Sequence, residues 1–220
     1  MSETLLKRGD SNEHVRTVQD RLTELGYSTG GSDGDYGRKT EEAVQAFQAA
    51  YGLPITGSID NDTWGALFST PAEDPTAHDP SEGPTGDALV DIALKQVNDR
   101  YVFGTDADEN NPDENEFDCA ELISWSCAQL GIELPSYSVS QIDTVAAAGL
   151  ECGVDEAGGI RGALLFREAG HNGAQYNHVA LSLGTGDETI EAMGSKYGVA
   201  VGTIGSRFTR AGRIPGITYS

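Results

Sequence analysis

Basic residues and cysteines are scarce in this sequence. Lysine and arginine together number 14 against 35 aspartate and glutamate residues, a formal net charge of −21 at pH 7. So acidic a chain repels polyanions, which excludes nucleic-acid binding by phosphate neutralisation and disfavours anionic membrane surfaces. The three cysteines include no C-x-x-C pair, so neither a disulfide framework nor a structural zinc site is predicted.

Long apolar segments are also missing. No uncharged apolar run approaches the roughly 20 residues that a membrane-spanning helix needs. The opening MSETLLKRGD lacks the apolar core of a secretory signal peptide. With 38% hydrophobic residues, the 220-residue chain can still form one large or two small folded domains.

Proline placement indicates where the chain divides. Four of the eight prolines lie within the acidic stretch TPAEDPTAHDPSEGPTG. Segments rich in proline and acidic residues stay extended and act as spacers. We therefore predict an N-terminal domain over residues 1–70, a linker over 71–86 and a second domain over 87–220.

Three short helices and an internal repeat are predicted before the linker. A capping box from Asp10 to Glu13 begins the first helix, and the others begin near Thr40 and Asp60. The repeat has an offset of 23 residues: DGDYGRKT from Asp33 matches TGSIDNDT from Thr56. Each copy predicts a tight turn, a buried apolar residue and a threonine hydroxyl that caps a helix.

This region resembles the three-helix type of peptidoglycan-binding domain. The resemblance rests on LGYSTGGSDGDYGRKTEEAVQAFQAAYGLPITG and covers about residues 5–68. It implies an all-α domain whose partner is bacterial peptidoglycan. Asp33, Tyr36 and Thr40 lie in its turn motif and are the candidate wall-binding residues, although each is also a candidate for a purely structural role.

The region after the linker changes pattern from helices to strands. Helices are predicted from Leu89 to Val97, over DCAELISWSCAQL and over residues 138–148. Short strands are predicted after them, at 162–166, 178–183, 188–193 and 198–204. Helices followed by antiparallel strands are typical of the α+β class.

Cys119 is the candidate nucleophile. Asp118 and Glu121 form a second capping pattern, which places Cys119 in the first turn of its helix. Free N–H groups and the helix dipole favour the thiolate there, but the dipole supplies only about 0.3–1 kcal/mol, so an imidazolium partner is also needed.

His178 is the candidate partner, because it opens a strand in which Val179, Leu181 and Leu183 point to the opposite face. A two-residue turn at Gly184 would pair His178 directly with Glu191, and a longer loop would offset them. A carboxylate at one ring nitrogen leaves the other nitrogen for the thiol.

FDCAELISW, NHVALSLGTG and TIEAMG, with RYVFG upstream, resemble the catalytic core of the NlpC/P60 family of papain-like cysteine peptidases. The resemblance implies a papain-like α+β domain with an antiparallel sheet that hydrolyses cell-wall stem peptides, at the bond from γ-D-glutamate to a diamino acid. It implies Cys119 as nucleophile, His178 as general base and Glu191 as third polar residue. It also implies that Tyr101 lines the site or the oxyanion pocket. Asp118 and Glu121, close to the cysteine in sequence, are further candidate substrate-binding residues.

Several alternatives remain open at this stage. The same cysteine and histidine would serve an N-acetylmuramoyl-L-alanine amidase or an acyl transferase, and a degenerate site would leave a wall-binding protein. We expect a monomer that uses no cofactor or metal, although the acidic run from Asp106 to Asp118 leaves calcium open. We also expect synthesis in the cytoplasm without a signal peptide and action on the wall after lysis, as an endolysin, or after non-Sec export.

Overall fold

The computed structural model of the protein describes residues 4–68, 83–175 and 177–219. The chain divides into two compact units, Met1–Ala77 with Leu94–Asn98 and His78–Ala93 with Asp99–Ser220. Most of the predicted linker lies outside the described residues. None of the helices in the described ranges is long and apolar enough to cross a membrane.

The first unit contains the three predicted helices and one strand pair that the sequence did not reveal. Its elements are β1 (Thr4–Leu6), α1 (Glu13–Glu24), α2 (Arg38–Ala50), β2 (Ile59–Asp60) and α3 (Asn61–Phe68). The strands β1 and β2 are antiparallel. Apolar residues spaced by three or four along α1 and α2 form the core, chiefly Val15, Val18, Leu22, Ala43, Val44 and Phe47.

Helix α1 begins two residues later than the capping box at Asp10 predicts. Asn12 is its N-cap, and the Asn12 side chain accepts hydrogen bonds from the backbone of His14 and Val15. The Asp10 carboxylate instead accepts from the backbone of Lys7. Asp10 therefore stabilises the preceding turn.

A buried glutamine holds each copy of the internal repeat. Gln19 is 1% exposed, and its Nε2 donates to the Asp33 carboxylate, the Asp35 carbonyl and the Thr40 hydroxyl, while its Oε1 accepts from Gly34 N–H. The Thr40 hydroxyl was predicted to cap α2. It is instead an acceptor for Gln19, because the amide reaches it through the core.

Gln48 does the same for the second copy. Its Nε2 donates to the Thr56 hydroxyl, the Ser58 carbonyl and the Thr63 hydroxyl. Its Oε1 accepts from the backbone N–H of Thr56 and Gly57. We call Gln48 and these four partners the Gln48 network. Equivalent positions of the two repeats therefore make equivalent hydrogen bonds, which explains why they match in sequence.

The second unit has the predicted α+β architecture. Its helices are α4 (Gly86–Leu94), α5 (Cys119–Ala128), α6 (Ser138–Ala147) and α7 (Val154–Gly158). Its strands are β3 (Arg100–Tyr101), β4 (Glu116–Phe117), β5 (Glu151–Cys152), β6 (Leu164–Arg167), β7 (His178–Ser182), β8 (Glu188–Gly194), β9 (Gly198–Thr203) and β10 (Arg210–Gly212).

Six of these strands form one antiparallel sheet in the order β5-β10-β6-β7-β8-β9. The strand β10 near the end of the chain lies between β5 and β6, a placement that no local pattern predicts. The α5 helix is buried almost throughout and packs against β7 and β8. This packing brings the first turn of α5 to the start of β7.

Candidate active site

The first turn of α5 holds Cys119 in a fixed position. Asp118 is the N-cap, and its Oδ1 accepts from the backbone N–H of Ala120 at 2.9 Å and of Glu121 at 3.0 Å. Its Oδ2 accepts from Gly104 N–H at 3.2 Å. The predicted helix start is therefore confirmed. Cys119 is 9% exposed, so its sulfur lies at the base of a cleft rather than on open surface.

His178, the first residue of β7, lies beside this cysteine. Its ring hydrogen-bonds Glu191, and Cys119 is near enough to help raise the pKa of the imidazole. The Nε2 atom of His178 lies 2.5 Å from Oε2 of Glu191. Because Nε2 is engaged by the carboxylate, Nδ1 is the ring nitrogen left for the sulfur. The structure therefore brings together the three side chains predicted to act together.

The sheet register differs from the simplest prediction. His178 does not lie directly opposite Glu191, because residues 183–187 connect the strands in place of a two-residue turn. Leu181 pairs with Ile190, and this register places Glu191 two residues from the position opposite His178. The two side chains stay on one face because the offset is even. Long side chains span such a diagonal.

The Glu191 carboxylate has three side-chain partners among the described residues. Besides His178, Arg207 Nη2 donates to Oε2 at 2.5 Å and the Thr189 hydroxyl donates to Oε1 at 2.6 Å. We call these four residues the His178 network. No sequence motif marks Arg207, which lies 16 positions from Glu191.

Gly202 of β9 makes room for this carboxylate. A Cβ atom at position 202 would overlap Oε1 of Glu191 and approach the Thr189 hydroxyl. The φ of Gly202 is not in the left-handed region, so close approach rather than backbone conformation requires the glycine.

Burial and charge shift the pKa values of the pair in opposite directions. Burial by itself would lower the pKa of His178, but the hydrogen bonds and charges of Cys119 and Glu191 outweigh it and raise that pKa to about 9. Burial would raise the pKa of Glu191, but His178 and Arg207 outweigh it and lower that pKa to about 2. A protonated imidazole beside an ionised carboxylate is therefore the stable form at neutral pH.

An aromatic ring supports the imidazole. The Phe208 ring stacks on His178 with centroids 6.3 Å apart and an interplanar angle of 25°. The Arg207 guanidinium lies 5.0 Å from the centroid of the Phe208 ring. Phe208 therefore limits rotation of the imidazole out of line with Cys119.

A cleft of about 330 Å³ gives access to Cys119. Its lining includes Tyr101, Phe103, Asp118, Tyr137 and Asn177. Phe103 and Tyr137 are 69% and 75% exposed, so two aromatic rings face solvent beside the nucleophile. Burial first, then the nearby Cys119 and Asp118, raise the pKa of Tyr101 to about 12. Its hydroxyl is therefore a hydrogen-bond donor at neutral pH.

Glu121 does not line that cleft. It is 6% exposed and lies on a neighbouring cavity of about 370 Å³ with Asp106, Asp108 and Glu109, and Ser136 lines both spaces. Burial is the main reason that the pKa of Glu121 rises to about 7, and repulsion from Asp118 adds to it. A substrate contact by Glu121 stays a prediction.

The other two cysteines lie away from the cleft. Cys127 is buried on α5, and burial raises its pKa to about 12. Cys152 lies on β5, and burial also raises its pKa. All three thiols are free. Within the part of the chain that the structure describes, no three His, Cys, Asp or Glu residues are arranged to hold a metal ion.

The predicted wall-binding residues of the first unit differ in exposure. Tyr36 is 2% exposed and donates its hydroxyl to the Gly57 carbonyl, and Thr40 is 1% exposed. Both stabilise the fold from within. Asp33 is exposed, so it is the one of the three with surface for a wall contact.

Two protein-family models match successive parts of the chain. A model described as a putative peptidoglycan binding domain matches residues 11–67. The NlpC/P60 family model matches residues 98–211, more than half of the chain. The helical first unit and the α+β second unit are the folds predicted from the two resemblances. The chain belongs to the NlpC/P60 family.

Similar proteins include several that are named as a lytic enzyme or an amidase. The spore cortex-lytic enzyme of Bacillus cereus is 30% identical over 115 residues, which are 52% of this chain and 39% of that protein. A probable N-acetylmuramoyl-L-alanine amidase of Bacillus licheniformis is 37% identical over 73 residues, 32% of this chain and 21% of that protein. This chain thus spans less than half of either relative.

The peptidoglycan hydrolase RipB of Mycobacterium tuberculosis has a similar solved structure. The identity is 21% and the TM-score 0.46, over 93% of this chain and 86% of that one.

Proposed function

We propose that this protein is a peptidoglycan hydrolase, a cysteine endopeptidase that cleaves stem peptides between γ-D-glutamate and a diamino acid. The observation that carries the proposal is that Cys119 lines an open cleft close to His178, whose imidazole is hydrogen-bonded to the buried Glu191 carboxylate. A sulfur, an imidazole and an orienting carboxylate are the groups that acyl transfer from an amide needs. Family membership and the names of the relatives support peptidoglycan as the substrate.

The groups have distinct tasks in this mechanism. The Cys119 thiolate attacks the amide carbon, and Nδ1 of the His178 imidazolium gives its proton to the leaving amine. Water, deprotonated by the now neutral His178, then attacks the thioester, which releases the acid and restores the Cys119 thiolate beside the His178 imidazolium. Glu191 is a positioning residue that keeps the ring oriented and charged. The protonated Tyr101 hydroxyl is suited to donate to the developing oxyanion.

We further propose that the first domain (residues 1–70), joined by the linker (71–86) to the catalytic domain (87–220), raises the local concentration of wall substrate. Tethering of this kind turns the catalytic encounter into an intramolecular one. The exposed Asp33 is a candidate wall contact on this domain.

Digestion of purified peptidoglycan tests the reaction and the bond together. Mass spectrometry of the soluble products from the intact protein should show fragments with a new amino terminus on the diamino acid. Cys119→Ala should release none, and the control Cys152→Ala should match the intact protein. A free amino terminus on L-alanine would instead identify an amidase, the reaction in the name of the Bacillus licheniformis relative. No release by the intact protein would overturn the enzymatic proposal.

A further inference from the structure

Arg167 lies next to the catalytic histidine but takes no part in its hydrogen bonds. It is the last residue of β6, and the sheet register pairs it directly with His178. Residues directly opposite in an antiparallel pair share a face and have Cβ atoms about 4.5–5.5 Å apart. The Arg167 and His178 side chains therefore begin side by side.

One nitrogen of the Arg167 guanidinium lacks the hydrogen-bond partner that such an atom normally has. This atom, Nε, is buried and has no hydrogen-bond partner among the described residues. Arg207, by contrast, is paired with the Glu191 carboxylate. Because buried donors are nearly always satisfied, a buried guanidinium nitrogen left open beside a reactive pair indicates a partner that arrives with a ligand.

Charge around Arg167 points to an anionic ligand. Burial lowers its pKa, repulsion from Arg207 lowers it further, and attraction from Glu191 and Cys119 opposes the change. The guanidinium is therefore within electrostatic range of the nucleophile. Arg207 is near enough for its charge to act on Arg167, in a chain of net charge −21, and Glu191 forms an ion pair with Arg207. An anion at Arg167 is favoured by this local excess of positive charge.

We propose that Arg167 is a specificity-determining residue that binds the free α-carboxylate of the substrate glutamate. The inference rests on the proposed function, since a γ-linked glutamate carries its scissile carbonyl on the side chain and leaves its α-carboxylate free. Only three carbon atoms separate the two groups. With the scissile carbonyl at Cys119, the carboxylate lies near the imidazole, where Arg167 supplies charge-assisted hydrogen bonds.

Two synthetic tripeptides test this assignment: L-alanyl-γ-D-glutamyl-L-lysine, and the same peptide with the glutamate α-carboxylate replaced by a carboxamide. The intact protein should cleave the carboxylate form with a kcat/KM about 10- to 100-fold higher, the order expected for one charge-assisted pair. Arg167→Met should lose this preference by slowing on the carboxylate form only. Arg167→Lys should keep part of it.

Arg210→Met is the matched control, because Arg210 pairs with Glu151 and Asp143 away from the cleft. It should retain the full preference. Equal kcat/KM for the two peptides with the intact protein would overturn the assignment, and this measurement needs no variant to fold. An equal loss on both peptides in Arg167→Met would also overturn it, since that result indicates an effect on the nucleophile.

The failure of the proposed function has a different signature. If the intact protein cleaves neither peptide, or mass spectrometry locates cleavage at another bond, the proposed function and this inference both fail. Cleavage at the γ-D-glutamyl bond without preference would overturn the role of Arg167 alone.

Discussion

The two units of the chain each contain a buried polar network, and the two networks differ in charge. The Gln48 network joins a helix to a turn and the next helix through neutral groups alone, with both ends of the amide satisfied. The His178 network also joins distant residues, but it contains a carboxylate, a guanidinium and an imidazole. Gln48 and Glu191, the residues at their centres, are at most 1% exposed.

This difference separates a structural role from a chemical one. A neutral, satisfied network fixes a fold and resists change, because opening it leaves donors without partners. A charged network costs free energy because its charged groups lose their solvation by water. It also shifts the pKa values of its members, as the transfer of protons at a functional site requires. The pKa of His178 near 9 is such a shift. If burial of a polar side chain were the only criterion, Gln48 would be identified as a functional residue. Burial together with charge identifies His178 instead.

Removal of the charge in the His178 network should have the largest effect. Glu191→Gln keeps the shape of the side chain but takes away the anion that orients and charges the imidazole. We expect kcat on a stem-peptide substrate to fall about 10³- to 10⁴-fold. Glu188→Gln on the same strand is the control and should change kcat less than about twofold. Similar rates for both variants would show that the carboxylate is not needed.

Crowding the same network without altering its charge should have the next largest effect. Gly202→Ala places a methyl group where the Glu191 carboxylate lies, so the carboxylate must move. We expect kcat to fall about 100-fold, with a smaller change in KM, because misplacement of a catalytic group by about 1 Å costs this much. The control Gly205→Ala, with no atom within 4 Å of its added Cβ, should retain kcat although its φ of +46° lowers stability. An unchanged kcat in Gly202→Ala would contradict this role of Gly202.

Breaking the neutral network should affect stability and leave the chemistry intact. Gln48→Ala leaves the buried N–H of Gly57 without an acceptor, and we expect the first unit to lose about 3 kcal/mol of unfolding free energy. Urea unfolding measures the loss, with Gln45→Ala on the same helix as control. Binding to purified walls should weaken, while kcat on a small soluble peptide should stay the same. A loss of kcat in Gln48→Ala would contradict a purely structural role for the Gln48 network.

The pH dependence should reveal the raised pKa of His178 as the smallest of these effects. Activity requires the imidazolium, so kcat/KM should decline as pH passes through about 9. Glu191→Gln should move this decline to lower pH. A histidine whose pKa is higher in the folded state stabilises the fold below its unfolded value near 6.5, and this stability is lost as pH rises toward 9. A decline of kcat/KM centred near pH 6.5 in the intact protein would contradict the raised pKa of His178.

Local patterns predicted much of this molecule and missed what depends on distant contacts. Cys119 and His178 were found because each lies at the start of an element with a clear pattern. The pairing of His178 with Glu191 was predicted on the correct face, but its offset stayed open because the length of the connecting loop was unknown. Arg207 and Gly202 act through space and leave no local signal.

The repeats show the same limit in the first unit. The turn motifs revealed which positions match, but Gln19 and Gln48 lie outside the matched segments. Their roles became visible only when the helices were packed. The backbone N–H groups of each turn and the threonine hydroxyl after it need hydrogen-bond partners. A repeat of this kind therefore indicates a buried polar side chain in the core.

Alkylation of the protein with iodoacetamide tests the central claim most directly. Mass spectrometry should show that Cys119 reacts first at neutral pH, ahead of Cys127 and Cys152, and wall hydrolysis should disappear in proportion to the fraction of Cys119 modified. Glu191→Gln should slow this reaction. Full modification of Cys119 with hydrolysis retained would contradict the account.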